Sequence, residues 1–347
     1  MIWLTWRQFR LQAVVIFTAV LLIGFLLLLT GPDLLHNYQV NKPGFLDQIE
    51  FQQWNKRLYF VGLVAAYAAP PLIGAFWGAP LVARELEAGT HRLVWTQSIS
   101  RTRWLLTKLA VSGGSAVLVT GLLSLAVTRW SDPIDDAVGG GQDTNSFLPR
   151  LWPAVFAARG IVPIGYTVFA FALGVAIGIV VRRSLVAVAL TLALVIAAQI
   201  LSPLLLRPHL LTPATTTVTV TTETMRGIEI HGSPSDPQVM GLEVKAGGPG
   251  DWKLSDQTVN SAGVAQKYLP SWFGACAPAP PGVESKQPRQ SLESCFSRLA
   301  DEGYRQKITY IPASRFWDLQ WRETGVFVAL AFLLAGFSFW RIRRDLT

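Results

Sequence analysis

The chain has 347 residues, 51% of them hydrophobic and only 15% charged, with a formal net charge of +8. Soluble domains carry about 25% charged residues, so the deficit excludes an ordinary water-soluble protein and points to lipid. The positive excess invites a nucleic-acid reading, but its distribution along the chain assigns most of it to membrane topology.

Crossing a hydrocarbon core of about 30 Å takes about 20 mostly apolar residues in a helix. Six stretches meet this: 11–30, 58–81, 104–127, 158–181, 184–206 and 324–341. The expected fold is an all-α polytopic membrane protein with six transmembrane helices and a small α+β extracytoplasmic domain between helices 5 and 6. Residues 1–10 space Trp3, Trp6, Phe9 and Arg10 about three apart, which suits an interfacial helix; the alternative is a plain extension of the first span. The first apolar run is longer than a signal-peptide core, and no small-x-small site follows at Gly31-Pro32-Asp33, so it reads as an uncleaved anchor. Residues 33–57 form an outside loop.

The second span carries Pro70, Pro71 and Pro80. Each removes an N–H donor and disturbs the turn before it, so a kink is expected, either a hinge or a static bend. Gly74 and Gly78 make a Gly-x-x-x-Gly pair, and Gly174 and Gly178 make another in the fourth span. Small residues at that spacing let helix backbones approach closely, and the simplest use is packing within the chain. Between spans two and three runs Arg84-Glu85-Leu86-Glu87-Ala88-Gly89-Thr90-His91-Arg92-Leu93, then Ser100-Arg101-Thr102-Arg103 and Lys108. A charge at the bilayer centre costs roughly 2.5–3.5 kcal/mol on the mildest scale, so this segment belongs in water, as a polar helix over 82–93.

Residues 131–153 form a second outside loop with Gly139-Gly140-Gly141 at its tip. Arg159 sits at the outer edge of span four, where it can snorkel as an anchor. Arg182-Arg183 is nearly the whole turn between spans four and five. Gln199 is the main strongly polar residue of span five, a pore contact or an interhelical hydrogen bond. The soluble domain, 207–322, opens on the alternating β-branched run 215–224, a strand signal. Further strands are expected at 228–230 and 239–244, a break at 278–281, and a helix over 292–304 with Leu292, Cys295, Phe296 and Leu299 on one face. Cys276 and Cys295 share this domain. An extracytoplasmic compartment permits their disulfide, which would contribute roughly 3 kcal/mol by loop closure; the alternative is two free thiols. No repeat of fixed period is found.

With six spans both ends lie on one side. That side holds Arg7, Arg10, Arg84, Arg92, Arg101, Arg103, Lys108, Arg182, Arg183, Arg341, Arg343 and Arg344, while the short loops opposite dilute their basic residues with acidic ones. The positive-inside rule then puts both termini in the cytoplasm. The sequence has no phosphate-binding Gly-x-x-x-x-Gly-Lys-Ser/Thr loop, no His-Glu-x-x-His or Cys-x-x-Cys metal pattern and no Gly-x-Ser-x-Gly nucleophile turn. Its four histidines are scattered.

The segment Arg84-Glu-Leu-Glu-Ala-Gly-Thr, with Ser98-Ile-Ser-Arg101 and then Lys108, resembles the loop between spans two and three of ABC-2 type permeases. In that family an acidic pair, Ala-Gly-Thr, a Ser-Arg and a Lys recur there. The six-span layout and the large outside segment before span six are also similar, and the tail Phe337–Arg344 looks like that of actinobacterial members. The resemblance implies the transmembrane subunit of an ATP-binding cassette exporter, itself not an enzyme. It would pair with a second copy of this permease and two copies of an ABC ATPase subunit among membrane lipids of the cell membrane, without nucleic acid. No cofactor would be bound by this chain, since ATP and Mg would sit on the ATPase. Residues 82–93 would be the coupling helix, with Arg84, Glu85, Leu86, Glu87, Gly89, Thr90, Arg92, Leu93 and Arg101 facing the ATPase, the two glutamates pairing with its basic groups. Few buried charges would suit a lipid-like, peptide or amphipathic drug cargo. Two other readings stand beside it: a ligand-sensing or immunity component that signals through the ATPase, and a membrane-embedded enzyme.

Overall fold

In the computed structural model, residues 2–89, 100–142, 146–233, 236–244, 247–276 and 291–345 are described. Among them six helices are long and apolar enough to cross a membrane: Ala13–Val40 (span 1), Gln53–Glu87 (span 2), Arg101–Gly139 (span 3), Val162–Val181 (span 4), Ser184–Leu210 (span 5) and Ala313–Arg344 (span 6). The chain forms two compact units. One comprises Met1–Leu210 with Ser314–Thr347, the other Leu211–Ala313.

Span 4 is the centre of the membrane unit. It packs against spans 2, 3, 5 and 6, and 61% of its apolar window is buried, against 11% in span 1. A helix apolar all round belongs in such a place, because any face of it can be covered. Spans 1 and 5 instead leave Leu21, Leu28, Leu29, Leu185, Leu204 and Leu205 exposed, as side chains in contact with acyl chains would be.

Spans 2 and 4 touch backbone to backbone, and the two Gly-x-x-x-Gly pairs meet each other there. A Cβ on Gly78 would stand 2.6 Å from the Phe171 carbonyl oxygen, one on Gly178 2.5 Å from that of Ala79, and one on Gly174 would run into the Gly74 carbonyl. Packed interiors do not absorb such overlap, and overpacking costs about 1–3 kcal/mol. Gly174→Val is therefore expected to lower the melting temperature of the detergent-solubilised protein, read by size-exclusion recovery after heating. Gly24→Val, where nothing lies within 4 Å, should leave it unchanged; equal behaviour of the two would refute the close crossing.

Span 2 does not simply kink at its prolines. Past Pro70 and Pro71 it widens into one π turn, Gly74–Gly78, and Pro80 lies directly after it. The wide turn re-registers the hydrogen bonds, with Ala79 N–H donating to Gly74 O, so the helix continues despite the missing donor. Span 5 does the same at Ser202–Leu206, around Pro203.

Several boundaries differ from expectation. The helix Ile2–Val40 runs unbroken through residues 2–10, so these extend span 1 rather than forming a separate interfacial element. The two segments expected as outside loops, 33–57 and 131–153, are largely helical where they are described. Span 1 continues to Val40, and a short helix Phe45–Phe51 tucks Phe45, Leu46 and Ile49 into the bundle. Span 3 continues to Gly139. Helices prolonged past their apolar windows pack on one another here, around Leu34, Tyr59, Trp130, Ile134 and Phe147, so tertiary burial replaces lipid. For the same reason the soluble unit is smaller than 207–322. Residues 207–210 and 314–322 belong to the membrane unit.

The second unit is α+β. Strands β1 (Ala214–Val218), β5 (Arg305–Ile311) and β4 (Trp252–Val259) form an antiparallel sheet in the order β1-β5-β4, while β2 (Met225–Ser233) and β3 (Asp236–Val244) form a hairpin. The helix Leu292–Asp301 buries Cys295, Phe296 and Leu299 against Phe273, Leu242 and Ile308. Cys276 and Cys295 are joined by a disulfide that closes a 19-residue separation. The break expected at 278–281 lies outside the described residues.

Candidate functional site

Two polar constellations stand out in the membrane unit, at opposite ends of the bundle. The first surrounds the connector between spans 2 and 3. Span 2 ends at Glu87, and Gly89 adopts φ +70°, the left-handed conformation that terminates many helices because glycine has no Cβ to clash. Span 3 begins with Ser100, whose hydroxyl accepts from Arg103 N–H at 3.3 Å, a capping bond that satisfies a donor the helix cannot. The connector is thus bounded by a stop and a start signal.

On either side of it the two spans are pinned. Lys108 of span 3 ion-pairs with Glu85 of span 2 and donates to Leu81 O at 3.2 Å. Its ammonium also lies 4.8 Å from the Trp104 ring centroid, where the electron-rich face stabilises a cation. Lys108 is 4% exposed, so the pair is shielded from water and from salt. Glu87 accepts from Ser184 N–H at 3.0 Å and Ser184 Oγ–H at 2.6 Å, capping span 5 and tying it to the end of span 2. The Arg343 guanidinium donates to Thr102 Oγ1 at 3.2 Å, tying span 6 to the start of span 3. Between spans 4 and 5, Arg182 takes a left-handed turn at φ 57°.

Of the expected coupling helix 82–93, residues 82–89 are described. Residues 82–87 are the last turns of span 2, not a separate helix: Val82, Ala83 and Leu86 are buried. Leu86 packs in the core of the bundle with Trp77, Val82 and Trp104. Glu85 and Glu87 are engaged inside the chain, by Lys108 and Ser184. Arg84 is exposed and Arg101 half-buried. Thr90, Arg92 and Leu93 lie outside the described residues.

The second constellation is buried at the other end. Glu323 of span 6 forms a two-point ion pair with Arg207 of span 5, Nε to Oε2 at 2.8 Å and Nη2 to Oε1 at 3.1 Å. The same Oε1 accepts from Tyr166 Oη–H of span 4 at 2.8 Å and from Ser202 Oγ–H at 2.9 Å. Arg207 also donates to Pro153 O at 3.3 Å and lies over the Phe156 ring. Both charged side chains are fully buried. One turn earlier, Gln320 accepts from Ile161 and Val162 N–H, both at 3.0 Å, and donates to Phe156 O at 3.2 Å. It thereby caps span 4 from span 6. Gly160 makes this possible: its φ is +63°, and a Cβ there would stand 2.7 Å from Gln320 Oε1. Span 3 holds the same turn, with Ser124 Oγ–H donating to Gly160 O and Thr128 Oγ1 accepting its N–H.

Arg159 departs from its expected role as a snorkelling anchor. It is 1% exposed, pairs with Asp135 at 3.3 Å and lies over the Tyr59 ring. Among the described residues the bundle therefore holds three largely buried ion pairs near the ends of its spans, where few buried charges were expected. Of the site residues, sequence reasoning missed Tyr166, Arg207, Gln320 and Glu323, and it gave Arg159 a different role. The available signal was that Arg207 and Glu323 flank their apolar runs immediately, within reach of each other once the helices extend. Gln199 donates to Tyr67 O at 3.0 Å, an interhelical bond to span 2.

In both constellations the carboxylates are held by cations and hydroxyls, and no set of three or more His, Cys, Asp or Glu suited to a metal occurs among the described residues. What both do is lock helix ends together, which is what moving bundles as rigid bodies requires. Comparison with known families matches residues 14–207, more than half of the chain, to the model described as ABC-2 membrane transporter related. Comparisons with curated proteins and with solved structures give no match. With its six candidate spans, the chain belongs to the ABC-2 type permeases and is a multi-pass membrane subunit of a transporter, in a family that implies an ABC ATPase subunit as partner.

Proposed function

We propose that the chain is the permease of an exporter that moves a lipid-like, peptide or amphipathic drug cargo outward, driven by ATP bound with Mg on two copies of a separate ATPase subunit. A second copy of the permease completes the pathway. The positive-inside distribution supports a cell-membrane topology with both termini, and the connector between spans 2 and 3, in the cytoplasm.

The observation that supports coupling is the buried Lys108–Glu85 pair beside the connector. A force applied to residues 88–100 reaches spans 2 and 3 through one rigid joint, and Glu87 extends it to span 5. Nucleotide can shift the conformational equilibrium only through differential affinity for two states, so a joint that transmits displacement without yielding is what the mechanism needs. Among the described residues beside the connector, Arg84, Glu87 and Arg103 are exposed, and Arg84 offers the ATPase a charge that no bond within the bundle is shown to use.

Co-purification from native membranes tests this. An ATPase subunit should elute with the wild-type chain and lose stoichiometry with Arg84→Glu, whose melting temperature should stay that of wild type because Arg84 is exposed. Unchanged co-elution of the variant, or ATP hydrolysis by the permease alone, would overturn the reading.

A further inference from the structure

Where span 1 ends and span 2 begins, the membrane unit has a polar cavity of about 550 Å³. Asp33, His36 and Asn37 line it from one face of the span 1 helix, and Gln53, Trp54 and Asn55 from the first turn of span 2. We propose that this cavity binds a sugar headgroup, a polyhydroxylated and uncharged ligand, presented at the membrane surface.

Four features lead to that chemistry. The side chains of Asp33, His36 and Gln53 face solvent and are not consumed by the hydrogen bonds that hold the bundle, unlike those of Lys108, Glu87, Gln320 and Glu323. The lining is rich in amides, which donate and accept at once and so match a hydroxyl that does both, and the two oxygens of the Asp33 carboxylate suit a pair of adjacent hydroxyls as acceptors. Trp54 is 58% exposed, offering a flat face to the C–H side of a pyranose and an indole N–H at its edge. Finally, no Lys or Arg lines the cavity among the described residues, so a phosphate would lack the charged fork that usually recognises it. The size also fits, since small-molecule sites occupy roughly 300–1,000 Å³.

The setting identifies how the sugar arrives. Leu29 and Leu35 of the span 1 helix are 58% and 47% exposed, and Phe51, at the end of the short helix just before span 2, is 87% exposed. Apolar side chains next to a polar cavity at the end of two spans reproduce the junction of acyl chain and headgroup. The inference rests on the exporter reading only in naming the ligand a cargo; binding itself needs neither nucleotide nor ATPase.

The test is native mass spectrometry of the purified full chain in a polyoxyethylene detergent, which has no sugar to compete. The probes are a monoglucosyl diacylglycerol, diacylglycerol with the same acyl chains, phosphatidylglycerol and free maltose. The glucolipid should form a retained adduct that diacylglycerol and phosphatidylglycerol do not. Trp54→Ala and Asp33→Asn, both at exposed positions, should each lower its affinity about tenfold, or about 1.4 kcal/mol. Displacement by maltose would support a soluble glycan as source, and resistance to it a lipid headgroup. Equal retention of phosphatidylglycerol, or unchanged adducts in both variants, would overturn the proposal. Because no ATP is present, such a failure would leave the coupling reading standing, and a failure of co-purification would leave this site standing.

Discussion

Glu323→Ala should nearly abolish recovery of folded protein from the membrane. The carboxylate is fully buried and satisfies Arg207, Tyr166 and Ser202 together, so its removal leaves a buried guanidinium without its counter-charge and two hydroxyls without an acceptor. Breaking a buried pair from one side costs about 3–5 kcal/mol, a large share of a stability that is typically about 5–15 kcal/mol. Glu323→Gln should be milder, since an amide oxygen still accepts from Tyr166. The double variant Glu323→Leu with Arg207→Met should recover much of the loss, because replacing both partners removes the uncompensated charge. Melting temperatures of the four proteins in detergent decide the matter. If the double variant is as unstable as Glu323→Ala, the loss comes from packing and not from the orphaned cation.

The same network shows why part of the structure was legible in the sequence and part was not. Spans were readable because an apolar run of about 20 residues has few other uses. The close crossing of spans 2 and 4 was readable as motif but not as contact: Gly74, Gly78, Gly174 and Gly178 announce small-residue packing, and only the fold shows that they face one another. Helix ends were not readable, because hydropathy stops where charge begins. Arg207 and Glu323 look like loop residues at the edge of water, yet each neutralises the other and the helix continues past them. The soluble unit behaves alike. Strand β5 was missed because its inward positions include Gln306, a polar residue buried by hydrogen bonds to Thr258, Asp256 and Leu242 O, so the period-two pattern of apolar residues is broken exactly where polar pairing replaces it. The sequence marked the segment between spans 2 and 3 as polar, but not that Glu85 and Glu87 meet Lys108 and Ser184, whose nearness depends on how the spans fold back.

Lys108→Met should be the most damaging change at the connector end. It removes the ammonium that the Glu85 carboxylate, 13% exposed, faces beside the apolar cluster of Trp77, Val82, Leu86 and Trp104. A cost near the 3–5 kcal/mol of a broken buried pair is expected, seen as poor recovery in detergent. Glu85→Leu with Lys108→Met removes both charges and should restore recovery, which separates folding from transmission. The informative measurement is then made on the double variant assembled with its ATPase. If the ion pair is the rigid joint between spans 2 and 3, this protein should bind the ATPase as wild type does but lose most cargo-stimulated ATP hydrolysis, since an apolar contact holds the two helices together without fixing their register through directed hydrogen bonds to Leu81 O. Charge reversal, Glu85→Lys with Lys108→Glu, keeps the attraction but takes away the donor to Leu81 O, and should give an intermediate loss. Full stimulation in the double apolar variant would mean that motion reaches the bundle by another route, through Glu87 and span 5.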